Sequence, residues 1–481
     1  MNLKENLVQY SYLSKLSSTA ESRSEDVYLV GGFVRDILLG RTKKEMDFLV
    51  VGDGPAFAKD FANALGINDI VIYKNFGTAH FDFQGMALEF VGARKESYKR
   101  NSRNPKVESG TLDDDLDRRD FTINTLAVSM NKENFGELVD KFNGIADIEK
   151  RIIKTPLDPL KTFDDDPLRI MRAFRFASQL NFEIESSVIA AATEMAERLK
   201  IVSQERITEE FLKILESPKP SVGLKLLYES GVMKVVFPEI HNLGGVEQRK
   251  DFHHKDVFYH TCKVVDNLAN VSGDVWLRFA ALVHDIAKPP TKRFVEGICW
   301  TFHGHEDLGA RMMKSIFTRL KLPLTKLEYI EKLVRLHLRP IALADEIVTD
   351  SAIRRLIVAA DEDLEDLITL CRADITSKNP TKVSRYLENY EIVMQKVRDV
   401  KERDQLRAFQ SPVRGEEIMQ VCGIKPSKLV GDIKTAIEDA ILDGQIGNNY
   451  EEAYAYFMQI KDEFLSKYFN PDKGNTRIEK Y

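Results

Sequence analysis

The chain has 481 residues, more than one ordinary core organises, and about 150 residues per domain suggests three or four domains. With 43% hydrophobic and 30% charged residues it is neither fibrous nor disordered, and no stretch approaches the ~20 apolar residues of a membrane helix. The net charge of −6, from 69 basic and 75 acidic residues, offers no overall basic footprint for a nucleic acid, although local patches matter more than the sum.

Residues 1–18 lack the apolar core of a signal peptide. The four cysteines (Cys262, Cys299, Cys371 and Cys422) form no C-x-x-C pair. The expectation is a reduced, cytoplasmic chain without a disulfide framework or a zinc ribbon. Residues 27–140 read as mixed α/β. Val27–Val30 is a short strand stopped by Gly31-Gly32, and Phe33–Leu39 is a helix ended by Gly40. Phe48–Val51, Ile70–Tyr73, His80–Phe83 and Ala87–Val91 read as further strands, and Thr122–Val128 as a helix. From about residue 160 apolar residues recur at helical spacing, as in Leu168, Met171, Phe174, Phe176 and Leu180, and long amphipathic helices dominate.

The double glycine follows a strand and precedes a helix. Such a turn lets backbone approach a ligand and aims amide N–H groups at a phosphate. Glu45 and Asp47 are two apart at a strand start, so both carboxylates share a face. Two hard oxygen donors on a rigid strand suit Mg²⁺, which can bridge triphosphate oxygens. A solvated strand start after Lys43-Lys44 is the plainer alternative. With the Val34-Arg35-Asp36 run and Leu38-Leu39-Gly40, this segment resembles the head motif of the class II CCA-adding enzyme and bacterial poly(A) polymerase family. The resemblance implies catalytic, metal-binding roles for Glu45 and Asp47. The first acid is usually Asp in the family. Glu89 falls where the family tends to carry a third acid. Gly31, Gly32 and Arg35 are expected at the nucleotide.

Residues 118–124, RRDFTIN, match the family's second motif without a gap. Guanidinium forks suit triphosphate oxygens, and the resemblance implies that Arg118, Arg119, Asp120 and Asn124 shape the sugar and phosphate pocket. In 165–176, DDPLRIMRAFRF, Asp166 is placed to cap a helix with Pro167 at its first position, and Arg169 shares its face. Carboxylate and guanidinium together can hydrogen-bond the Watson–Crick edge of cytosine or adenine. The resemblance is to the family's base-selecting motif, with Asp166 and Arg169 as readers and Arg172 and Arg175 continuing the face. The stretch 94–106 holds six basic residues and one acidic, the composition of a mobile loop; in the family such a loop helps switch from C to A addition.

Eight of the nine histidines fall between 241 and 337, which points to a metal site. His260, His284-Asp285, His305, His337 and Asp374 resemble the ligand order of the HD phosphohydrolase superfamily, with His303 as an alternative to His305. Such a set suits one or two divalent metals, and imidazole favours Mn, Fe, Ni or Zn over Mg.

The resemblance covers about 27–450 and implies an α+β chain. A small mixed α/β nucleotidyltransferase head with a β-sheet spans 1–150. An all-α neck (151–245), HD domain (246–395) and tRNA-binding tail (396–481) follow. It implies CCA addition to tRNA from CTP and ATP, with Mg²⁺ in the head, a divalent transition metal possible in the HD domain, and no membrane. Poly(A) polymerase, or an HD phosphohydrolase with a weakened head, are the alternatives. The oligomeric state is open.

Overall fold

The computed structural model describes residues 1–73, 77–99, 102–246, 256–296, 299–345, 349–377, 379–404 and 411–468. It divides into two compact units, Met1–His305 with Met312–Leu327, and Glu306–Arg311 with Glu328–Tyr481.

The first unit opens on a sheet. Its strands are β1 (Asp26–Val30), β2 (Glu45–Val51), β3 (Val71–Tyr73), β4 (Thr78–Phe83), β5 (Met86–Gly92), β8 (Ala127–Ser129) and β9 (Leu138–Val139), in the order β3-β4-β5-β2-β1-β8-β9. The numbers 6 and 7 belong to a separate hairpin, β6 (Arg94–Lys99) and β7 (Ser102–Ser109). Period-two alternation sets the two faces of β2. Met46 and Phe48 point to one side, where Phe48, Phe57, Phe61 and Phe81 surround Phe90 with centroids 4.9–5.8 Å from it. This aromatic core seats the helix Gly54–Leu65, which Asp53 caps by accepting from Ala56 N. On the other face Leu49 packs with Val30, Ala93, Leu116 and Ala127, while Glu45 and Asp47 lie beyond that cluster at the strand's open end.

Two expectations differ from the structure. Thr122–Val128 is a short 3-10 turn, Thr122–Asn124, followed by β8 rather than a helix. Its backbone bonds go elsewhere: Thr122 N donates to Lys154 O, and Ala127–Ser129 pair with β1. Of the basic stretch 94–106, the described residues 94–99 and 102–106 lie in the β6–β7 hairpin. A hairpin of charged and polar residues has no apolar period to read, so its strands look like loop.

Behind the sheet come helices. Leu168–Leu180 is buried on nearly every side and packs against Gln204–Glu216 and Pro220–Glu229. Val257–Ala269 and Val275–Val283 follow and carry the histidine segment. The second unit is helical. In its last part Val413, Ile418, Leu429, Ile433, Ile437, Ile441, Ala453 and Phe457 form one core. Among the described residues no helix is long and apolar enough to cross a membrane.

Candidate functional site

Parallel pairing of β2 with β5 sets Asp47 beside Glu89 and Glu45 beside Ala87, so all three acids share one sheet face. Antiparallel pairing with β1 sets Val30 opposite Asp47, which brings the glycine turn next to it. Gly31 has φ +73, and a Cβ there would sit 3.1 Å from Arg119 Nη1 and 3.9 Å from Asp47 Oδ2. A side chain would fill the space between guanidinium and carboxylate. The Gly31 N–H donates to Leu126 O at 3.2 Å. The turn therefore offers close approach rather than that amide.

Burial pushes the Asp47 carboxyl above its ordinary value, against the pull of Lys43 and Arg119. Burial and then the Asp47 charge raise Glu89 as well. Glu45 is lowered instead, because Lys43 Nζ hydrogen-bonds its Oε2 at 2.8 Å. Asp47 is half-buried and Glu45 and Glu89 are exposed; carboxylates that repel one another on one sheet face are the donor set a hard divalent cation neutralises.

Facing them is a cavity of about 870 Å³. Among its lining residues are every expected head and base-reading residue except Glu89: Gly31, Gly32, Arg35, Glu45, Asp47, Arg118, Arg119, Asp120, Asn124, Asp166, Arg169, Arg172 and Arg175. Asp115, wholly buried on the helix Leu112–Asp117, accepts from Arg118 Nε at 2.8 Å and from Arg119 Nε at 3.0 Å. It sits three and four residues before them, the helical spacing that brings side chains together. That spacing was the available signal, and sequence reasoning passed it by.

The other cations are held in a chain of partners. Arg35 donates to Asp36 and, at 2.8 Å, to Asn124 Oδ1. Asn124 donates to Asp120, and Arg172 grips the second Asp120 oxygen at 2.8 and 2.6 Å. Glu210 pairs with Arg175 at 3.1 Å. The Phe176 ring lies beneath Arg35, Arg172 and Arg175, at 5.1, 5.4 and 4.3 Å. Burial works to raise the Asp120 carboxyl, but Arg172 and the Asn124 hydrogen bond outweigh it and hold the group well below the usual range. Asp120 and Arg172 thus face each other.

The helix Leu168–Leu180 starts after Pro167, and Asp166 Oδ1 accepts from Leu168 N at 3.2 Å. The buried Arg169 guanidinium donates to Thr162 O at 3.3 Å and to Arg118 O at 2.5 Å. Backbone carbonyls on two segments therefore fix the fork, and Asp166 and Arg169 both reach the cavity. Lys43 and Phe176 were missed as members of this wall, although Lys43 stands two residues before its partner Glu45 and Phe176 follows Arg172 and Arg175 on the same helix; Glu210, expected to support its helix, lies behind the wall against Arg175.

The histidine segment makes a second centre. In the first unit a ligand atom from each of His260, His284 and Asp285 lies within 4.8 Å of the others. Asp285 Oδ1 is 3.2 Å from His305 Nε2. Backbone carbonyls orient two rings: His284 Nδ1 bonds Ala281 O at 2.7 Å and His305 Nδ1 bonds Phe302 O at 2.8 Å. That fixes each tautomer and aims Nε2 at the cluster. Lys288 Nζ donates to Asp285 Oδ2 at 2.7 Å, a contact not foreseen from sequence. Burial opposes ionisation of Asp285, yet His284 and Lys288 hold its carboxyl well below the ordinary value. His337 and Asp374 belong to the second unit, where His337 is buried and its Nδ1 bonds Val334 O at 2.6 Å. His303 is exposed.

Comparison with known proteins adds three family models. Residues 27–154 match the poly A polymerase head domain, 181–243 the probable RNA and SrmB-binding site of polymerase A, and 257–379 the HD domain. An A-adding tRNA nucleotidyltransferase of Aquifex aeolicus is 41% identical over 200 residues, 39% of this chain and 24% of that one. Another, of Deinococcus radiodurans, is 32% identical over 362 residues, 73% of this chain and 80% of that one. A multifunctional CCA protein of Xanthomonas campestris is 32% identical over 386 residues, 76% and 88% of the two chains. Among solved structures, a tRNA nucleotidyltransferase complexed with a primer tRNA and an incoming ATP analog superposes with a TM-score of 0.57. It is 25% identical, covering 80% of this chain and 99% of that one.

Proposed function

Because the chain belongs to the tRNA nucleotidyltransferase family with a poly(A) polymerase-type head, we propose that it builds or repairs the 3′-terminal CCA of tRNA. It uses CTP and ATP, releases pyrophosphate and needs no nucleic-acid template. The observation that carries this reading is one cavity lined by the strand acids Glu45 and Asp47, the Arg118-Arg119 pair and the Asp166/Arg169 couple. The donor set fits Mg²⁺, with Glu45 and Asp47 holding it and Glu89 alongside. When bound, the ion lowers the pKa of the tRNA 3′-hydroxyl and neutralises charge on the α-phosphate.

The chain's own residues supply the rest. Arg118 and Arg119, braced by Asp115, fork onto triphosphate oxygens. Gly31 and Gly32 leave room for the phosphates. The 3′-hydroxyl then gives up its proton to solvent as its oxygen bonds to the α-phosphorus, and the bond from that phosphorus to the oxygen bridging to the β-phosphate breaks, freeing pyrophosphate. Asp166 and Arg169 hydrogen-bond the base edge, accepting and donating in turn. Arg35, Asp120, Asn124, Arg172 and Arg175 form the charged wall that keeps this reader in place. We assign the activity to the cytoplasm, where tRNA is matured.

The test uses purified protein, tRNA trimmed of CCA, Mg²⁺ and labelled CTP or ATP. Addition that stops after C-C-A supports the reading. Long A tails would mean a poly(A) polymerase. A single A, added only to tRNA already ending in C-C, would mean an A-adding enzyme, the subtype named for two of the relatives. Asp47→Ala abolishes incorporation; full activity in that variant would overturn the metal site. Arg169→Ala blurs the choice between C and A more than it weakens tRNA binding.

The cluster of His260, His284, Asp285 and His305 supports a second activity, metal-dependent phosphoester hydrolysis. Its imidazoles suit Mn, Fe, Ni or Zn, and a bound ion would activate water there.

A further inference from the structure

A short segment, residues 39–44, joins the helix that follows the glycine turn, Gly32–Leu38, to β2 with its Glu45 and Asp47. Backbone bonds pin the segment on both sides of Lys43. Arg41 N donates to Asp36 O at 2.8 Å, and Lys44 O accepts from Ala87 N at 2.8 Å. Lys43 itself lines the cavity, and its Nζ donates to Glu45 Oε2 at 2.8 Å. A Cβ on Gly32 would lie 3.4 Å from the same Nζ and 3.7 Å from Arg35 Nη2. One ammonium thus touches the first acid of the strand pair and borders the turn that leaves room for phosphates. Together with Arg119 it also pulls on Asp47, against the burial that raises that carboxyl. The side chains of Lys43 and Glu45 are 33% and 62% exposed, so packing does not lock the pair.

An ammonium is a compact charge with three donors on a flexible stem, so one donor on Glu45 leaves others for phosphate oxygens. We infer that Lys43 binds the incoming nucleotide and couples it to the metal, its ammonium bridging the Glu45 carboxylate and an outer oxygen of the triphosphate. The inference rests on the nucleotidyltransferase reading of this cavity and adds a residue to which that reading gives no task. Two opposite effects follow from the one charge. Before nucleotide arrives, the ammonium competes with a divalent cation for the Glu45 oxygen and repels it, which weakens metal binding. Once the triphosphate is seated, its oxygens draw the ammonium, and Glu45 turns to the metal. Lys43 therefore favours a metal and a nucleotide that enter together over either one alone.

The test compares the full-length parent with Lys43→Met and with Lys44→Met, which removes the same charge one residue on, outside the cavity lining. Mn²⁺, followed by electron paramagnetic resonance, stands in for Mg²⁺. Each chain is also made with Asp47→Ala, and the Mn²⁺ lost in that version is the share held by the head, so ions at the histidine cluster drop out. The nucleotide probe is α,β-methylene-CTP, which cannot be cleaved at that link, and its binding is measured by calorimetry. In Lys43→Met the head binds Mn²⁺ without nucleotide about threefold more tightly, while the analogue in the presence of Mn²⁺ binds about tenfold more weakly. The factor by which the analogue tightens Mn²⁺ therefore falls, and by linkage Mn²⁺ tightens the analogue by equally less. Lys44→Met leaves both affinities within about twofold of the parent. Unchanged analogue affinity in Lys43→Met, Mn²⁺ held no more tightly without nucleotide, or equal shifts in Lys44→Met overturns the coupling. A parent that adds C and A to trimmed tRNA, with affinities untouched by Lys43→Met, sinks the lysine's role alone. The expected shifts without any incorporation sink the polymerising reading and leave Lys43 as a nucleotide-binding residue.

Discussion

Two buried acids decide how the cleft's cations are presented. Asp120 has a carboxyl held far below its unfolded value by Arg172 and Asn124. In acid the unfolded chain therefore binds a proton that the folded chain refuses. The stability contributed is complete above the ordinary carboxylate pKa of about 3.9 and is lost as pH falls below it. Asp120→Asn removes that contribution at neutral pH. The cost is about 1–3 kcal/mol, discounted because the Arg172 side chain is one-third exposed. Denaturation midpoints followed from pH 7 to pH 2 will show a shallower acid limb for the variant than for the parent. Parallel acid limbs would mean that the pairing carries no linkage. Asp115 acts differently, since its carboxylate accepts from Arg118 and Arg119 together. Asp115→Asn leaves both arginines in place but loosely aimed, and KM for CTP and ATP rises by about tenfold while kcat changes less. Asp115→Glu, which restores the charge, recovers part of the loss; a purely structural role would show in thermal stability without moving KM.

Positioning at the next scale depends on how closely helices approach. Gly223, on Pro220–Glu229, donates its N–H to Ser178 Oγ at 2.7 Å. A Cβ there would lie 2.5 Å from Ser178 Oγ, 2.8 Å from Ile214 Cγ2 and 3.0 Å from Phe174 O. Ser178 and Phe174 belong to the helix that carries Arg169. Gly223→Ala forces that helix aside at about 1–3 kcal/mol. The expected outcome is a melting temperature lower by several degrees together with poorer discrimination between C and A. A variant that melts with the parent would show that the helices have room to spare. The same helix marks what sequence could reveal. Its apolar spacing and its Asp-Pro start are local features, so the element and the placing of Asp166 and Arg169 near its start were legible. The partner of Arg172 lies 52 residues away, and no local pattern joins Glu210 to Arg175 or Phe176 to Arg35. The β6–β7 hairpin and β8 were misread for a related reason: their backbone bonds are settled by pairing, not by a periodicity of their own.

For the molecule as a whole, net charge and local charge predict opposite responses to salt. The chain carries −6, which at long range repels tRNA and nucleoside triphosphates alike. The cleft, however, is lined by ten lysines and arginines against six acids. Were the net charge in control, added salt would screen a repulsion and raise kcat/KM. With the cleft in control, low-dielectric walls focus its positive field on incoming phosphates, and salt screens an attraction. Displacement of counterions from the tRNA backbone acts in the same direction. Raising NaCl from about 50 to 200 mM is therefore expected to lower kcat/KM for CCA-trimmed tRNA at least tenfold. At saturating substrates kcat should change far less, because the guanidiniums that meet the reacting triphosphate are anchored on buried partners that bulk ions screen weakly. A kcat/KM that climbs with salt would mean that the arginine-lined cleft is not where the tRNA end enters.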